Sequence, residues 1–360
     1  MREVSVSLGS RSYPVYVGAG ILREVGDLAR RHLSGERVLV VTNPTVAPLY
    51  AATVEESLAA VGFVVRRAEI PDGEEYKTLA TVAALYDAAL GAELERGDTV
   101  LALGGGVVGD IAGFLAATYM RGVAFVQVPT TLLAQVDSSV GGKVGVNHPW
   151  GKNLIGAFYQ PRFVLADVRT LATLPLREVR AGLAEVIKYG VIHDAAFFAW
   201  LEANFEALLK LSDAAVEQAV ATSCAIKAAV VSADETEKGL RAILNFGHTL
   251  GHALEAATHY ERFVHGEAVA IGMVFAARLA RRLGYFEPAG VERITALVRR
   301  AGLPDAIPPD IAPEALLEAM RRDKKVAAGQ LTFILPEAIG KVRIVRGVSA
   351  DIVRSVLVEY

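Results

Sequence analysis

The sequence predicts an α/β fold in which a parallel sheet with helices on both faces is followed by a mostly helical half. In the first half, apolar runs such as RVLVVTN (37–43) alternate with segments of helical periodicity. That alternation is typical of a parallel sheet buried on both sides. Beyond residue 168 nearly every segment has a helical pattern. We therefore predict a Rossmann-like domain over residues 1–168 and an α-helical domain over residues 169–360, with the active site in the cleft between them.

The predicted elements begin with two short strands and end with a hairpin followed by a helix. The first half has short strands at 4–8 and 13–18, further strands at 37–43, 63–70, 99–106, 124–130 and 162–167, and helices at 20–32, 46–61, 78–94 and 108–120. The second half has helices at 177–189, 195–210, 213–233, 247–258, 266–283, 291–302 and 313–325, a hairpin at 331–336 and 341–345, and a final helix.

The composition excludes several functional classes. A net charge of −3 and a charged fraction of 21% provide no field that would attract nucleic acid or an anionic membrane. The single cysteine, Cys224, excludes an intrachain disulfide and a cysteine-based zinc cluster. The N-terminus has no signal-peptide core, and the longest apolar run, 268–277, is too short for a membrane span. We expect a cytoplasmic protein whose apolar fraction of 52% favours self-association.

A histidine-rich stretch at 244–273 is the first candidate site. It holds four of the seven histidines, namely His248, His252, His259 and His265. The first two are four residues apart, so on a helix their imidazoles share one face. Histidine is the commonest metal ligand, and carboxylates lie between these histidines. The stretch predicts a divalent-metal site with an acid/base group beside it. The alternative is a helix whose histidines are satisfied by its own core.

A glycine-rich turn is the second candidate site. The segment LALGGGVVGDIAGF (101–114) places three glycines between a buried strand and a helix. Glycine lets the backbone approach a ligand, and the free N–H groups of a helix start attract phosphate. The spacing GGGxxGD departs from the GxGxxG fingerprint, and a merely tight turn is the alternative. In PDGEEYKT (71–78), Glu74 and Lys77 are candidates for holding ribose hydroxyls. We favour a nicotinamide dinucleotide bound at the edge of the sheet.

Residues 128–161 form a long segment with many polar side chains and few helix signals, which predicts a functional loop. Lys143 and Lys152 of this segment, with Arg121 before it, could gather near an anionic substrate, although loop lysines are usually solvated. We expect the bound molecule to be small, multiply charged and hydroxylated, such as a phosphorylated sugar acid.

Charged residues of the helical half support the same expectation. Glu185 and Lys188 are three residues apart on a predicted helix, so they either face one cleft or form a surface ion pair. Further basic and amide side chains flank the histidine stretch, at Lys227, Arg241, Asn245 and within RRDKK (321–325).

Taken together, these stretches resemble the 3-dehydroquinate synthase family of the sugar-phosphate cyclase superfamily. The matching pieces lie in order over residues 72–325: DGEEYKT, GGGVVGDIAGFLAATYMRG, VPTTLLAQVDSSVGGKVGVNHPWGKNLIGAFYQP, EVIKYG, KAAVVSADETEKGLRAILNFGHTLGHALE, HGEAVAIGM and DKK. Each piece alone is weak, but the ordered set is highly specific.

The resemblance implies three groups of site residues. One divalent ion, zinc or cobalt, would be bound by Glu185, His248 and His265. NAD+ would contact Glu74, Lys77, Gly105, Gly106, Gly109, Asp110, Thr130, Thr131, Lys152, Thr173 and Leu174. The substrate would contact Arg121, Asp137, Lys143, Asn153, Lys188, Lys227, Arg241, Asn245 and either Lys324 or Lys325, with His252 as an acid/base or phosphate-binding group.

The resemblance also implies the reaction. The family converts 3-deoxy-D-arabino-heptulosonate 7-phosphate to 3-dehydroquinate and phosphate, a lyase step of the shikimate pathway that leads to aromatic amino acids. NAD+ is oxidant and then reductant within one turnover, and a homodimer is expected. The alternatives are another sugar-phosphate cyclase, a metal-dependent polyol or alcohol dehydrogenase, and a nucleotide-binding regulatory protein without catalysis.

Overall fold

A computed structural model describes residues 1–322 and 331–359 of the chain. The chain divides into two compact units, and each unit combines two stretches of sequence. The first unit comprises Met1–Leu174 and Val216–Thr236, and the second comprises Pro175–Ala215 and Glu237–Tyr360.

This division differs from the predicted one chiefly at residues 216–236, which the sequence pattern assigned to the helical half. The segment belongs to the first unit because two of its buried side chains bind there. The thiol of Cys224 donates to the carbonyl oxygen of Gln135 at 3.2 Å. The ammonium of Lys227 donates to the Asp137 carboxylate at 2.6 Å. Helical periodicity identifies this helix but not the partner it packs against.

The first unit is built on a mainly parallel sheet, as predicted. Its strands are β1 (Arg2–Val6), β2 (Tyr13–Gly18), β3 (Arg37–Thr42), β4 (Val64–Glu69), β5 (Thr99–Gly104), β6 (Ala124–Pro129) and β9 (Phe163–Asp167). Within the described ranges these seven strands lie in the order β1-β2-β9-β6-β5-β3-β4. Only the β1–β2 pair is antiparallel, which is the predicted N-terminal hairpin.

Helices cover both faces of this sheet, because successive residues of each strand point to opposite sides. On one face, Val38 and Val40 of β3 lie in a core beneath helices α1 (Val25–His32) and α2 (Ala52–Ala60). On the other face, Leu39 and Val41 lie beneath α3 (Leu79–Gly91) and α4 (Gly106–Thr118). The predicted burial on both sides is confirmed.

The predicted loop at 128–161 is wrong in one respect, because residues 143–158 form a β-hairpin. Strands β7 (Lys143–His148) and β8 (Gly151–Phe158) pair in antiparallel register. Val144 and Val146 of β7 are buried in the core that contains α4. On the opposite side of the hairpin Gly145 lies across from Gly156. The centre of that side therefore has no side chain, which weakens the alternating pattern by which a strand is usually recognised in sequence.

The second unit is mostly helical. Its helices are α5 (Leu176–Ile192), α6 (Ala195–Leu209), α8 (His248–Ala257), α9 (His265–Arg282), α10 (Pro288–Arg300), α11 (Pro313–Arg322) and α12 (Ala350–Val358), with a hairpin of β10 (Leu331–Ala338) and β11 (Lys341–Val348). The apolar run 268–277 forms the buried middle of α9. This explains why that run is so hydrophobic.

Helix α7 (Asp213–Ala233) links the two units in sequence. By length and composition it could cross a membrane, but 67% of its apolar window is buried inside the protein. Its buried Lys227 and Cys224 make polar contacts within the first unit. We interpret α7 as a core helix.

Candidate functional site

Three helices of the second unit bring Glu185, His248 and His265 together. Glu185 lies in α5, and the two histidines are the first residues of α8 and α9. Oε1 of Glu185 lies 3.8 Å from Nε2 of His248 and 3.8 Å from Nε2 of His265. One ligand atom from each residue lies within 4.8 Å of the others, a spacing that one divalent ion can bridge.

Both imidazoles are held in the tautomer that a metal ligand requires. Nδ1 of His248 lies 3.1 Å from the carbonyl oxygen of Phe246, to which it can only donate. Nδ1 of His265 lies 3.5 Å from Oε1 of Glu255 and donates to that carboxylate. Each ring therefore has its proton on Nδ1 and its lone pair on Nε2, directed towards Glu185.

Glycines allow the three helices to approach closely enough for this geometry. A Cβ on Gly266 would lie 2.1 Å from the carbonyl oxygen of Ala181 in α5. A Cβ on Gly272 of α9 would lie 1.9 Å from the carbonyl oxygen of Gly247, immediately before α8. Backbone contacts of this kind exclude any larger residue. The glycines of the FGHTLGH and HGEAVAIGM segments thus fix the positions of the two ligand histidines.

The Glu185 carboxylate suits a bound cation. The residue is fully buried, and its Oε1 accepts no hydrogen bond within the part of the chain that the structure describes. Its Oε2 faces the ammonium of Lys188, which is 1% exposed. The predicted i, i+3 pair therefore forms, but in the interior rather than at the surface. Lys188 thus compensates one oxygen of this buried carboxylate, while Oε1, which faces two imidazole nitrogens, remains available to a bound cation.

His252 lies beside this group but does not complete it. Its ring is 5.4 Å from that of His248 and 6.1 Å from that of His265. It shares a second cluster with Glu255 and His265, whose ligand atoms also lie within 4.8 Å of one another. The pairing of His248 with His252 that helical spacing suggests is therefore replaced by a pairing of His248 with Glu185 and His265.

The charge state of His265 reflects these neighbours. Burial lowers the pKa of His265, and this is the largest single influence. The hydrogen bond to Glu255 and the charges of Glu255 and Glu185 together outweigh burial, so the pKa lies above its ordinary value. The two carboxylates therefore favour positive charge at this ring.

In the first unit, the predicted nucleotide residues form a network at the carboxyl end of the sheet. The ammonium of Lys77 donates to Asp110 at 2.5 Å and to the side-chain oxygen of Asn153 at 2.6 Å. Asn147 donates to Glu74 at 2.8 Å and accepts from the backbone N–H of Asn153 at 2.9 Å. The DGEEYKT loop, helix α4 and the β7–β8 hairpin are thus joined by one polar network.

Asp110 is the partly buried acidic residue of this network. Burial raises the pKa of Asp110 above its usual range, and the ammonium of Lys77 opposes that effect only in part. The ammonium of Lys77 is the main influence that favours the ionised carboxylate.

The glycine turn between β5 and α4 has the form that the sequence predicts. Gly105 precedes the first residue of α4, and a Cβ on it would lie 3.0 Å from Cγ2 of Thr131. Thr130 donates its backbone N–H to the carbonyl oxygen of Gly104. A Cβ on Gly109 would lie 2.7 Å from Gln127 Oε1. The turn thus presents backbone rather than side chains, which suits a phosphate at the helix start.

The other residues of the first unit that were predicted to contact NAD+ or substrate lie outside this network. Lys143 begins β7, whereas Lys152 lies at the far end of the hairpin, so the register separates them instead of gathering them. Arg121 is exposed and has a φ of 66° at the end of the turn after α4. Thr173 contacts the hydroxyl of Tyr50 at 2.6 Å, and Leu174 directly follows it.

Buried cations account for most of the remaining predicted substrate residues. Lys227 donates to the Asp137 carboxylate and to its backbone oxygen, both at 2.6 Å. Arg241 is 2% exposed, and Asn245 donates to Glu237 at 2.8 Å. Lys324 and Lys325 lie outside the described residues.

Three residues at these sites were absent from the sequence predictions. Asn147 and Glu237 hold predicted residues through side-chain hydrogen bonds, and Glu255 contacts His265. A signal existed for Glu255, which lies seven residues after His248 and therefore on the same face of α8. Asn147 lies in β7, within the segment predicted as a loop, and Glu237 lies outside the helices and strands, so their partners depend on the fold.

Comparison of the sequence with models of known protein families identifies the family of this chain. The model described as 3-dehydroquinate synthase N-terminal matches residues 67–181, and the one described as 3-dehydroquinate synthase C-terminal matches residues 182–326. The chain belongs to the 3-dehydroquinate synthase family. The two family models together include every predicted ligand, nucleotide and substrate residue.

Similarity to named relatives supports membership of this family. A 3-dehydroquinate synthase from Pelotomaculum thermopropionicum is 59% identical over 351 residues, which cover 98% of this chain and 95% of the relative. The family that the sequence motifs indicated is confirmed.

Solved structures of related cyclases share the fold. A 2-deoxy-scyllo-inosose synthase complexed with carbaglucose-6-phosphate, NAD+ and Co2+ is 29% identical, has a TM-score of 0.91, and matches over 99% of this chain and 100% of its own. A 2-epi-5-epi-valiolone synthase from Streptomyces hygroscopicus subsp. jinggangensis, with NAD+ and Zn2+ bound, is 30% identical, has a TM-score of 0.89, and matches over 98% of both chains. The predicted fold class is confirmed.

Proposed function

We propose that this chain converts 3-deoxy-D-arabino-heptulosonate 7-phosphate to 3-dehydroquinate and phosphate. The observation that carries the proposal is the Glu185, His248 and His265 group, found in a chain 59% identical to a 3-dehydroquinate synthase. A nucleotide-binding protein without catalysis would have no need of this buried group.

Two cofactors are part of the proposal. The first unit binds NAD+ through the glycine turn and the Lys77 network, and the second binds one zinc or cobalt ion through Glu185, His248 and His265. When bound, the metal lowers the pKa of a substrate hydroxyl, and NAD+ accepts a hydride and later returns it. The ligands of the two solved cyclases support this assignment.

The chain's own residues bind the anionic groups of the substrate. Lys188, Lys227 and Arg241 are cations with little exposure, and such groups retain strong interactions with phosphate and carboxylate. Because Lys188 and Lys227 are held by Glu185 and Asp137, these two ammonium groups need little reorganisation when charge develops. His252 is half-buried beside the metal group, where an imidazole can hold or pass a proton.

The reaction is a carbon–oxygen lyase reaction that closes a carbocycle. After oxidation at C5, loss of the C6 proton and of phosphate is followed by re-reduction, ring opening and an intramolecular aldol step. We assign the proton removal to the phosphate group of the substrate. The protein would contribute fixed cations for the leaving phosphate.

A phosphate-release assay distinguishes this function from the alternative functions. The assay combines the protein, NAD+ and zinc with the heptulosonate phosphate, and compares hexose and heptose phosphates. We expect release from the heptulosonate phosphate alone, without net formation of NADH. Release from another sugar phosphate would indicate a different cyclase, and NADH in proportion to product would indicate a polyol dehydrogenase. No turnover with any of them would favour a regulatory protein.

We further propose that the chain acts as a homodimer in the cytoplasm. The apolar fraction of 52% and the single, buried cysteine support this setting. Light scattering of the purified protein tests the dimer, since a monomeric mass at assay concentration would contradict it.

A further inference from the structure

We propose that Glu255 is a positioning residue of the metal site, which fixes the tautomer and the orientation of His265. This inference rests on the proposed function, because it takes Glu185, His248 and His265 as the metal ligands. Glu255 itself would not contact the ion.

The contact that carries the inference joins two helices. Oε1 of Glu255, in α8, lies 3.5 Å from Nδ1 of His265, the first residue of α9. Glu255 is 5% exposed, so its carboxylate is fixed in the interior. His248, His252 and Glu255 follow one another at intervals of four and three residues on one face of α8. One helix thus supplies a ligand and also holds the ligand supplied by the next helix.

His265 has greater need of such support than His248. The His248 side chain is 10% exposed, and the backbone carbonyl of Phe246, two residues away, fixes its ring. The His265 side chain is 29% exposed and begins its helix. Its Nδ1 partner is a carboxylate on another helix. A carboxylate partner also makes Nε2, the opposite ring nitrogen, a stronger electron-pair donor to a metal ion. Such partners typically contribute about 10- to 100-fold to metal affinity.

A competing arrangement makes Glu255 a ligand, because His252, Glu255 and His265 also form a compact group. The positioning role is favoured by the use of both nitrogens of His265. Nε2 faces Glu185 at 3.8 Å while Nδ1 faces Glu255 at 3.5 Å. The fully buried Glu185, whose Oε1 accepts no hydrogen bond among the described residues, then lies on the metal side of the ring.

Cobalt binding to the full-length protein tests the proposal. Metal-free wild type, Glu255→Gln and Glu185→Gln are titrated with Co2+ while the visible d–d absorption is recorded, and affinities are measured against a competing chelator. Glu202→Gln, which changes a carboxylate of α6 paired with Arg293, is the matched control. Urea unfolding of each metal-free protein shows whether a variant is merely less stable.

We expect Glu255→Gln to bind one cobalt ion about 10- to 100-fold more weakly than wild type, with an altered spectrum. Glu202→Gln should match wild type, and Glu185→Gln should lose the stoichiometric ion. If Glu255→Gln does not fold, Glu255→Asp keeps the charge with a shorter reach, and the same loss of affinity is expected.

Three results would overturn the inference. Wild-type affinity and spectrum in Glu255→Gln would show that Glu255 does not position His265, while the proposed function would stand. Loss of the ion in Glu255→Gln but not in Glu185→Gln would make Glu255 a ligand. Absence of cobalt binding by wild type would contradict the proposed function itself.

Discussion

Oε1 of Glu185 and Nε2 of His265 lie 3.8 Å apart because the start of α9 rests on the backbone of α5. The residue after His265 is Gly266, where a Cβ would lie 2.1 Å from the carbonyl oxygen of Ala181. Ala181 is about one helical turn before Glu185. The distance between the two ligands therefore depends on a neighbouring residue that has no side chain.

Gly266→Ala should separate the two helices. We expect it to lower the free energy of unfolding by about 1–3 kcal/mol, because a methyl group must displace packed backbone, and to weaken metal binding. Urea denaturation of the metal-free protein and metal analysis measure the two effects. Gly91→Ala is the control, since a Cβ there meets nothing within 4 Å. Equal unfolding midpoints for both variants would contradict the packing argument.

His265→Ala and His252→Ala should differ in metal content. His265 presents Nε2 to Glu185, so its loss should remove the stoichiometric ion. His252 lies outside that group, so its variant should keep the ion and lose rate. Elemental analysis of both purified proteins, together with their turnover of the heptulosonate phosphate, measures the difference. If both variants retain the ion, the division of roles between the histidines is wrong.

Removal of metal should abolish turnover. A chelator such as EDTA competes for the ion held by Glu185, His248 and His265, and without that ion the substrate hydroxyl keeps its high pKa. Zinc or cobalt added after dialysis should restore phosphate release. Magnesium, which prefers oxygen ligands, is the control and should restore little. Full activity in protein shown to be free of metal would refute the assignment.

Lys77→Met should weaken NAD+ binding. It removes the ammonium that joins Asp110 to Asn153 and leaves without a partner the partly buried Asp110 carboxylate, whose pKa burial already raises. Hydrogen bonds to charged groups contribute about 1.5–3 kcal/mol, so the KM for NAD+ should rise about 10- to 100-fold. Lys210→Met, which changes an exposed lysine, is the control. An unchanged KM would exclude the network from the nucleotide site.

Sequence periodicity was sufficient to predict the strands of the sheet, but not to predict which residues form the metal group. The β-branched run at 37–43 identifies β3 because a strand buried on both faces needs apolar side chains at every position. Spacing along one helix suggested His248 and His252 as a pair. The pairing of His248 with Glu185 depends on how α5, α8 and α9 pack, and local periodicity contains no information about that packing. Only the family resemblance assigned Glu185 to the metal before the structure did.

The sequence patterns also failed to predict the β7–β8 hairpin. Val144 and Val146 alternate as a strand should, but the opposite side has Gly145 across from Gly156. A Cβ on Gly145 would lie 2.4 Å from the carbonyl oxygen of Ile155. Close pairing of the two strands thus requires glycine at positions 145 and 156, where an alternating strand pattern would have polar side chains.

Cys224 should be unreactive until the protein unfolds. Burial raises the pKa of its thiol to about 12, an effect that the charge of Lys227 opposes and that of Asp137 reinforces. At pH 8 about one thiol in ten thousand would then be ionised, against roughly a quarter for an unperturbed cysteine. Iodoacetamide should give no adduct in the native protein and one adduct in urea, as measured by mass. Rapid alkylation of the native protein would mean that α7 exposes this face in solution.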